Sequence, residues 1–276
     1  MKIEGAHVVV TGAGAPNGIG AAMVRRFAAA GARGIVAADL DGEAAAASAA
    51  AASAAEVAAA GTDAIGVGVD VGSEEELSRL IAEAEERFGP VDVFCSNAGI
   101  AGEYGGPEVL DAEWQRIWEV NVMAHIRAAR LLLPGMLDRG SGHLSSTASA
   151  AGLLANPGLM TYSVTKHAAV AVAEWLEITY GASSGVTFSC LCPQGVATPM
   201  LEKWAEDPTA RIATDAGMIS ADEAADALVE GIRAGRFLIL PHPEVETYMQ
   251  RRAGDHARWL GGMQRFQAEI DRDRGK

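Results

Sequence analysis

Two rhythms alternate along this chain. Short, nearly unbroken apolar runs occupy Ala6–Thr11, Gly34–Asp39, Ala64–Val71, Val91–Ser96, Gly142–Thr147, Val186–Cys192 and Arg236–Leu240. Runs of this length without strict alternation predict strands covered on both faces. Between them lie stretches of helical periodicity: Ile19–Ala30, alanine-rich Asp41–Ala60, a helix capped by Ser73 with Glu76 and running to Phe88, Asp111–Leu133, and Leu159–Tyr180. A further helix starts at Ser220, with Glu223 as its capping-box partner. Strand and helix alternating at this pace predict a single α/β domain, doubly wound, with a seven-stranded parallel sheet and helices on both faces. Ligands of such sheets bind at the carboxyl ends of the strands.

Residues 1–243 form this expected domain. Within it, residues 198–218 lack clean periodicity and are expected to be a lid over the substrate. Residues 244–276 carry Tyr248, Met249, Trp259, Leu260, Met263 and Phe266 among charges. This tail reads as one amphipathic helix, or two broken near Gly261-Gly262. It is expected to pack on a neighbouring subunit, over the active-site mouth, or on its own domain.

Composition narrows the function classes. With 276 residues and 49% apolar content, the chain can bury one large core. A formal net charge of −14 disfavours nucleic acid and anionic membrane surfaces as partners. No apolar run approaches a membrane span, and Met1–Gly5 leads straight into the first strand, so a cytoplasmic protein is expected. Cys95, Cys190 and Cys192 fall in predicted strands and read as reduced core residues. The six histidines show no ligand spacing, and no metal is expected.

Chemistry concentrates in Ser149–Lys166. Tyr162 and Lys166 stand four apart on a helix, so their side chains share one face, one turn apart. A phenol has a reference pKa of about 10, and bringing it to about 7 takes roughly 4 kcal/mol of differential stabilisation, which a neighbouring ammonium can supply in part. Ser149, thirteen residues before Tyr162, can turn back across a pocket and hold a carbonyl oxygen. These residues read as a proton-transfer site. Near the N-terminus, the glycine-rich stretch after the first strand suits a phosphate at a helix N-terminus.

Together with T-G-A-G-A-P-N-G-I-G at Thr11–Gly20, S-N-A-G at Ser96–Gly99 and E-V-N-V around Asn121, the S…Y-x-x-x-K stretch resembles the short-chain dehydrogenase/reductase family over roughly Ile3–Pro241. The resemblance implies a Rossmann-type fold and an oxidoreductase with Asn121, Ser149, Tyr162 and Lys166 as its catalytic set. Tyr162 would be the general acid/base, and Asn121 would hold a water linking Lys166 to solvent. Cofactor contacts are expected from Gly12, Asn17, Gly18, Ile19 and Gly20, from Asp39 and Leu40, and from Asp70 and Val71 at the adenine. Asn97, Ala98 and Gly99 would line the cleft, Tyr162 and Lys166 the nicotinamide ribose, and Pro193, Gly195, Val196 and Thr198 the nicotinamide itself. Asp39 lies about twenty residues past the glycine loop, where a carboxylate accepts from the ribose 2′-hydroxyl and repels a 2′-phosphate. NAD is therefore expected as the cofactor.

Two departures from the family pattern stand out: the glycine loop is two residues longer, and Gln194 stands where glycine commonly follows the proline. The substrate pocket is expected from Ala151, Leu153, Gln194, Met200 and Trp204, with Ile100, Met160 and Leu201 nearby. Its apolar character suggests a lipophilic secondary alcohol or ketone, and no fixed cation is expected there. A reductase of 3-oxoacyl or enoyl thioesters and a non-catalytic NAD sensor are the alternatives. A homo-oligomer, dimer or tetramer, is expected.

Overall fold

The computed structural model describes residues 1–54, 62–215 and 217–275. Its centre is a seven-stranded, wholly parallel sheet of β1 (His7–Thr11), β2 (Gly34–Asp39), β3 (Asp63–Gly68), β4 (Val93–Ser96), β5 (Gly142–Thr147), β6 (Val186–Leu191) and β9 (Leu238–Ile239), in the order β3-β2-β1-β4-β5-β6-β9. The order reverses at β1, which puts the topological switch point between β1 and β4. A separate two-stranded ladder, β7 (Val196–Ala197) with β8 (Ile219–Ser220), bridges the chain after β6 to the helix that follows.

One face of the sheet carries α1 (Ile19–Ala29), α2 (Gly42–Ala54) and α10 (Ala221–Arg233), buried through residues such as Phe27, Ala49 and Leu228. The other carries α3 (Glu74–Phe88), α5 (Ala124–Asp138) and α7 (Met160–Leu176), packed through Leu80, Leu132 and Leu176. Fully burying a side chain such as Phe27 or Phe94 contributes about 1.5–3 kcal/mol. The strands read as unbroken apolar runs because both faces are covered in this way.

Local signals fix the boundaries. Ser73 caps α3 by accepting from the Glu76 N–H at 3.3 Å, and α3 stops at Gly89, whose φ of 75° favours glycine. Ser220 and Glu223 form a reciprocal capping box on α10.

Several boundaries differ from the sequence expectation, and three of them have a clear local form. β3 ends at Gly68 rather than Val71, because the Asp70 carboxylate accepts from the Gly72 N–H at 2.8 Å and turns the chain. The expected helix Asp41–Ala60 is seen as Gly42–Ala54, and its remainder lies outside the described residues. Asp111–Leu133 is in fact α4 (Asp111–Trp118), a π-helical turn at Glu119–Met123 and α5, continuing to Asp138.

After Thr198 the chain makes α8 (Pro199–Glu202), a 3₁₀ turn at Pro208–Ala210 and α9 (Arg211–Thr214). The tail folds as α11 (Glu244–Gly254) and α12 (His256–Asp273). The break falls at Asp255, which caps α12 by accepting from the Arg258 N–H at 3.0 Å, and not at Gly261-Gly262, which α12 runs through.

Candidate active site

A cavity of about 680 Å³ opens at the carboxyl ends of β1, β4, β5 and β6. Its floor is Gly12, Gly18 and Ile19 on one side and Ser149, Tyr162 and Lys166 on the other. α7 delivers Tyr162 and Lys166 one turn apart, with Lys166 Nζ 5.7 Å from the centroid of the Tyr162 ring. The buried ammonium donates to the Thr147 carbonyl at 2.9 Å. Ser149, just beyond β5, turns its hydroxyl toward the Tyr162 phenol and lowers the phenol pKa. Its Oγ accepts from the Ala151 N–H at 3.1 Å and lies 3.4 Å from the Pro193 carbonyl.

Burial dominates the electrostatics. It raises the Tyr162 pKa, and the Ser149 hydroxyl opposes that rise. It lowers the Lys166 pKa to about 8. Desolvation, and not the expected depression by the ammonium, sets the direction of the phenol's shift.

Asn121 is fully buried on the π-helical turn and does not line the cavity. Its Oδ1 accepts from the Ile100 N–H, and its Nδ2 donates to the Ile100 carbonyl, both at 2.9 Å, and to Thr165 Oγ1 at 3.2 Å. Asn121 therefore clamps the strand-end loop to α7. A methyl added at Gly99 would come within 3.3 Å of both Asn121 Oδ1 and Lys166 Nζ, so the two groups flank one small space.

The glycine loop has the form of a dinucleotide cradle. A Cβ at Gly12 would lie 2.6 Å from Ala98 Cα, and one at Gly20 would lie 2.2 Å from the Gly12 carbonyl oxygen. Only glycine permits this approach of loop, strand and helix. Gly18 caps α1 without a side-chain acceptor, which leaves the first-turn N–H groups to a ligand anion. The additional loop residues close a turn in which the Gly18 N–H donates to the Ala15 carbonyl at 2.8 Å.

Asp39 accepts from the Gly14 N–H at 2.8 Å while facing the cavity. Capping of α2 falls to Asp41, which accepts from the Glu43 and Ala44 N–H groups at 3.1 Å. Asn97 Nδ2 donates to the Thr11 and Gly12 carbonyls, tying β4 to the loop.

Of the remaining cofactor candidates, Asn97, Ala98, Gly99, Pro193, Val196 and Thr198 line the cavity. Asn17, Gly20, Leu40, Asp70, Val71 and Gly195 do not. Leu40 is exposed and Val71 belongs to the core. Gly195 instead admits α9, since a Cβ there would lie 2.1 Å from the Ala213 carbonyl oxygen. Among the substrate candidates, Ala151, Gln194, Met200, Leu201 and Trp204 line the cavity. Leu153 packs in the core, Met160 faces a neighbouring cavity, and Ile100 is used through its backbone.

Two features went unread in the sequence, and a third was left open among alternatives. His242 is buried: its Nδ1 accepts from the Gln194 N–H at 3.1 Å and its Nε2 donates to the Gly195 carbonyl at 3.0 Å, pinning the loop after β6. Arg211 does line the cavity, a cation that had not been expected, but it pairs with Asp215 at 3.3 Å and Asp273 at 2.9 Å. Tyr248, Trp259, Met263 and Phe266 close the mouth from α11 and α12 of the same chain. The tail residues were visible as an amphipathic stripe, but nothing in the sequence located the surface beneath them.

A family model described as short chain dehydrogenase matches residues 6–209. The chain belongs to that family. Within it, the chain is 35% identical to a 1-deoxy-11-beta-hydroxypentalenate dehydrogenase of Streptomyces exfoliatus, covering 92% of this chain and 90% of that one. It is 33% identical to a 2-(R)-hydroxypropyl-CoM dehydrogenase of Xanthobacter autotrophicus, over 74% of this chain and 79% of the relative. A short chain dehydrogenase/reductase from Burkholderia phymatum, solved in complex with NAD, superposes with a TM-score of 0.82 at 30% identity, covering 92% and 95% of the two chains. The doubly wound sheet thus has direct counterparts among family structures, and the chain is an oxidoreductase of this family.

Proposed function

We propose that the protein is an NAD-dependent dehydrogenase of lipophilic secondary alcohols, working reversibly on the matching ketones. The observation that carries this reading is the convergence of Ser149, Tyr162 and Lys166 on one cavity whose far end is a glycine cradle and Asp39. A 2′-phosphate would meet the Asp39 carboxylate, and the loop supplies no cation to offset it, so the cradle suits NAD over NADP. Bound there, NAD would supply the acceptor for the hydride of the carbinol carbon.

The chain's own groups manage the proton. Tyr162, as phenolate, takes the hydroxyl proton as the C–H bond breaks, and in reduction it returns that proton to the ketone oxygen. Ser149 donates to the substrate oxygen and steadies the charge developing there. Lys166, anchored by Thr147, holds positive charge beneath the ring and favours the phenolate. Asn121 fixes the backbone at Ile100 beside Gly99, next to the lysine. Its part is positioning, consistent with a proton path that leaves through the space the two side chains flank.

The apolar face of α5 and α7 leaves Trp175 58% exposed, and Ile178, in the π-helical turn Glu177–Gly181 that follows α7, is 81% exposed. A second copy of the chain covers this face in the proposed homo-oligomer, and light scattering at micromolar concentration tests it. The enzymatic reading is tested by NADH formation from NAD with apolar secondary alcohols, set against the Tyr162→Phe variant.

A further inference from the structure

The tail beyond Pro243 lies outside the matched family region, yet it forms one wall of the cavity. Along α12, Trp259, Met263, Phe266 and Ile270 recur at helical spacing on a single face, and the first three reach the cavity while Ile270 is fully buried. Tyr248 joins them from α11. Opposite stand Leu154, Leu159, Met200, Leu201 and Trp204, so two apolar walls enclose the space beside Tyr162. The cation in this region, Arg211, is neutralised by Asp215 and Asp273.

The C-terminal end of the helix is attached to the body by charge as well as by its apolar face. Asp273 pairs with Arg211 of the lid at 2.9 Å, and Arg274 pairs with Asp207 of the lid while its guanidinium stacks 3.5 Å from the centroid of the Tyr104 ring. Tyr104 also reaches Asp271 at 3.4 Å. Lid and tail are thereby latched to each other. Such partly exposed pairs are individually weak and are screened by salt.

Gly261 and Gly262 sit in the interior of α12, where glycine is among the poorest helix formers. Packing does not demand them: a Cβ at either would meet nothing closer than the end of the flexible Arg265 side chain, at 3.6 and 3.9 Å. The chain therefore carries two helix-weakening residues without a steric reason. A helix held by its apolar face and its latch, rather than by its own propensity, can leave and return.

Resting on the dehydrogenase reading, we propose that α12 is a detachable cover that selects the substrate: its Trp259, Met263 and Phe266 face makes the site take a bulky, uncharged, rigid apolar alcohol in preference to a small one. Its two glycines set how readily the cover opens.

The test compares 2-decalol with 2-propanol for turnover, and 2-decalone with acetone for calorimetric binding to the NAD-loaded full-length protein, a pairing that cannot turn over. Trp259→Ala and Phe266→Ala are each expected to cut the 2-decalol to 2-propanol ratio of kcat/KM about tenfold. The variant Gly261→Ala/Gly262→Ala keeps every wall side chain and strengthens the helix. It is expected to bind 2-decalone severalfold more tightly and, where opening limits turnover, to slow kcat. A wild type that binds 2-decalone no better than acetone overturns the proposal, as does a ratio that stays put in both wall variants. Should a wall variant fail to fold, unchanged binding in the glycine variant overturns it equally. Turnover is read separately from binding. Selective binding that the wall variants lose, without turnover of either alcohol by wild type, supports the cover and overturns the dehydrogenase reading. Turnover with unaltered selectivity overturns the cover alone.

Discussion

The Ser149 hydroxyl faces the phenol of Tyr162 across the cavity floor, and it pulls the phenol pKa down against the burial that raises it. The two residues arrive from different elements, Ser149 from the turn after β5 and Tyr162 from the first turn of α7. Alcohol oxidation needs the phenolate, so its rate should climb with pH through the Tyr162 pKa. Removing the serine hydroxyl in Ser149→Ala should move that limb to higher pH and lower kcat, whereas Ser149→Thr should restore most of the limb. A pH–rate profile of kcat/KM checks both; a limb that stays in place in Ser149→Ala contradicts the assignment.

Asp39 serves two partners. It holds the Gly14 N–H of the cradle and faces the expected adenosine ribose. Asp39→Ala should raise KM for NAD about ten- to a hundredfold, the size of a hydrogen bond to a charged group. It should also narrow the preference for NAD over NADP. Cofactor KM values for both dinucleotides measure this, and an unchanged preference would remove Asp39 from cofactor choice.

His242 grips Gln194 and Gly195 from the far side of the loop that follows β6. His242→Ala should free this loop and cost about ten- to a hundredfold in kcat/KM through misplacement alone. Because the histidine touches neither reacting atom, the pH–rate limb should remain where it is. A shifted limb would instead mark His242 as a participant in proton transfer.

His125 and His143 are buried, and desolvation holds both at a pKa of about 3, well below their ordinary 6.5. On unfolding, both take up protons below about pH 6.5, so the unfolded chain binds more protons between about pH 6.5 and pH 3. Stability therefore falls as pH drops through that window. In His143→Gln one of the two contributions disappears, and the melting temperature should fall less steeply between pH 6.5 and pH 4. An identical slope would contradict the burial argument.

Much of this molecule was legible in its sequence because the signals were local. Gly34–Asp39 and Gly142–Thr147 are strands with the expected ends, and the Ser220–Glu223 capping box opens α10. The Tyr162 and Lys166 pair follows from helix geometry once α7 is assigned. What stayed hidden depends on distance in sequence. His242 acts on Gln194 through a contact 48 positions away, and Arg211 is quenched by Asp273 from the tail. The break in the tail was misplaced for a related reason. Gly261-Gly262 are poor helix formers, but the docked apolar face overrides that weakness, while the local cap at Asp255 decides where α12 begins. Asn121 read as an anchor of a proton path, while its bonds to Ile100 and Thr165 depend on partners that only the fold brings together.

NADH absorbance on mixing the protein with NAD and a panel of apolar secondary alcohols, beside Tyr162→Phe, reads the role of Tyr162 directly. At least one bulky alcohol should turn over, and kcat should fall about 10²- to 10⁴-fold in the variant with NAD binding retained. A Tyr162→Phe protein that oxidises the same alcohol at the wild-type rate would contradict that role.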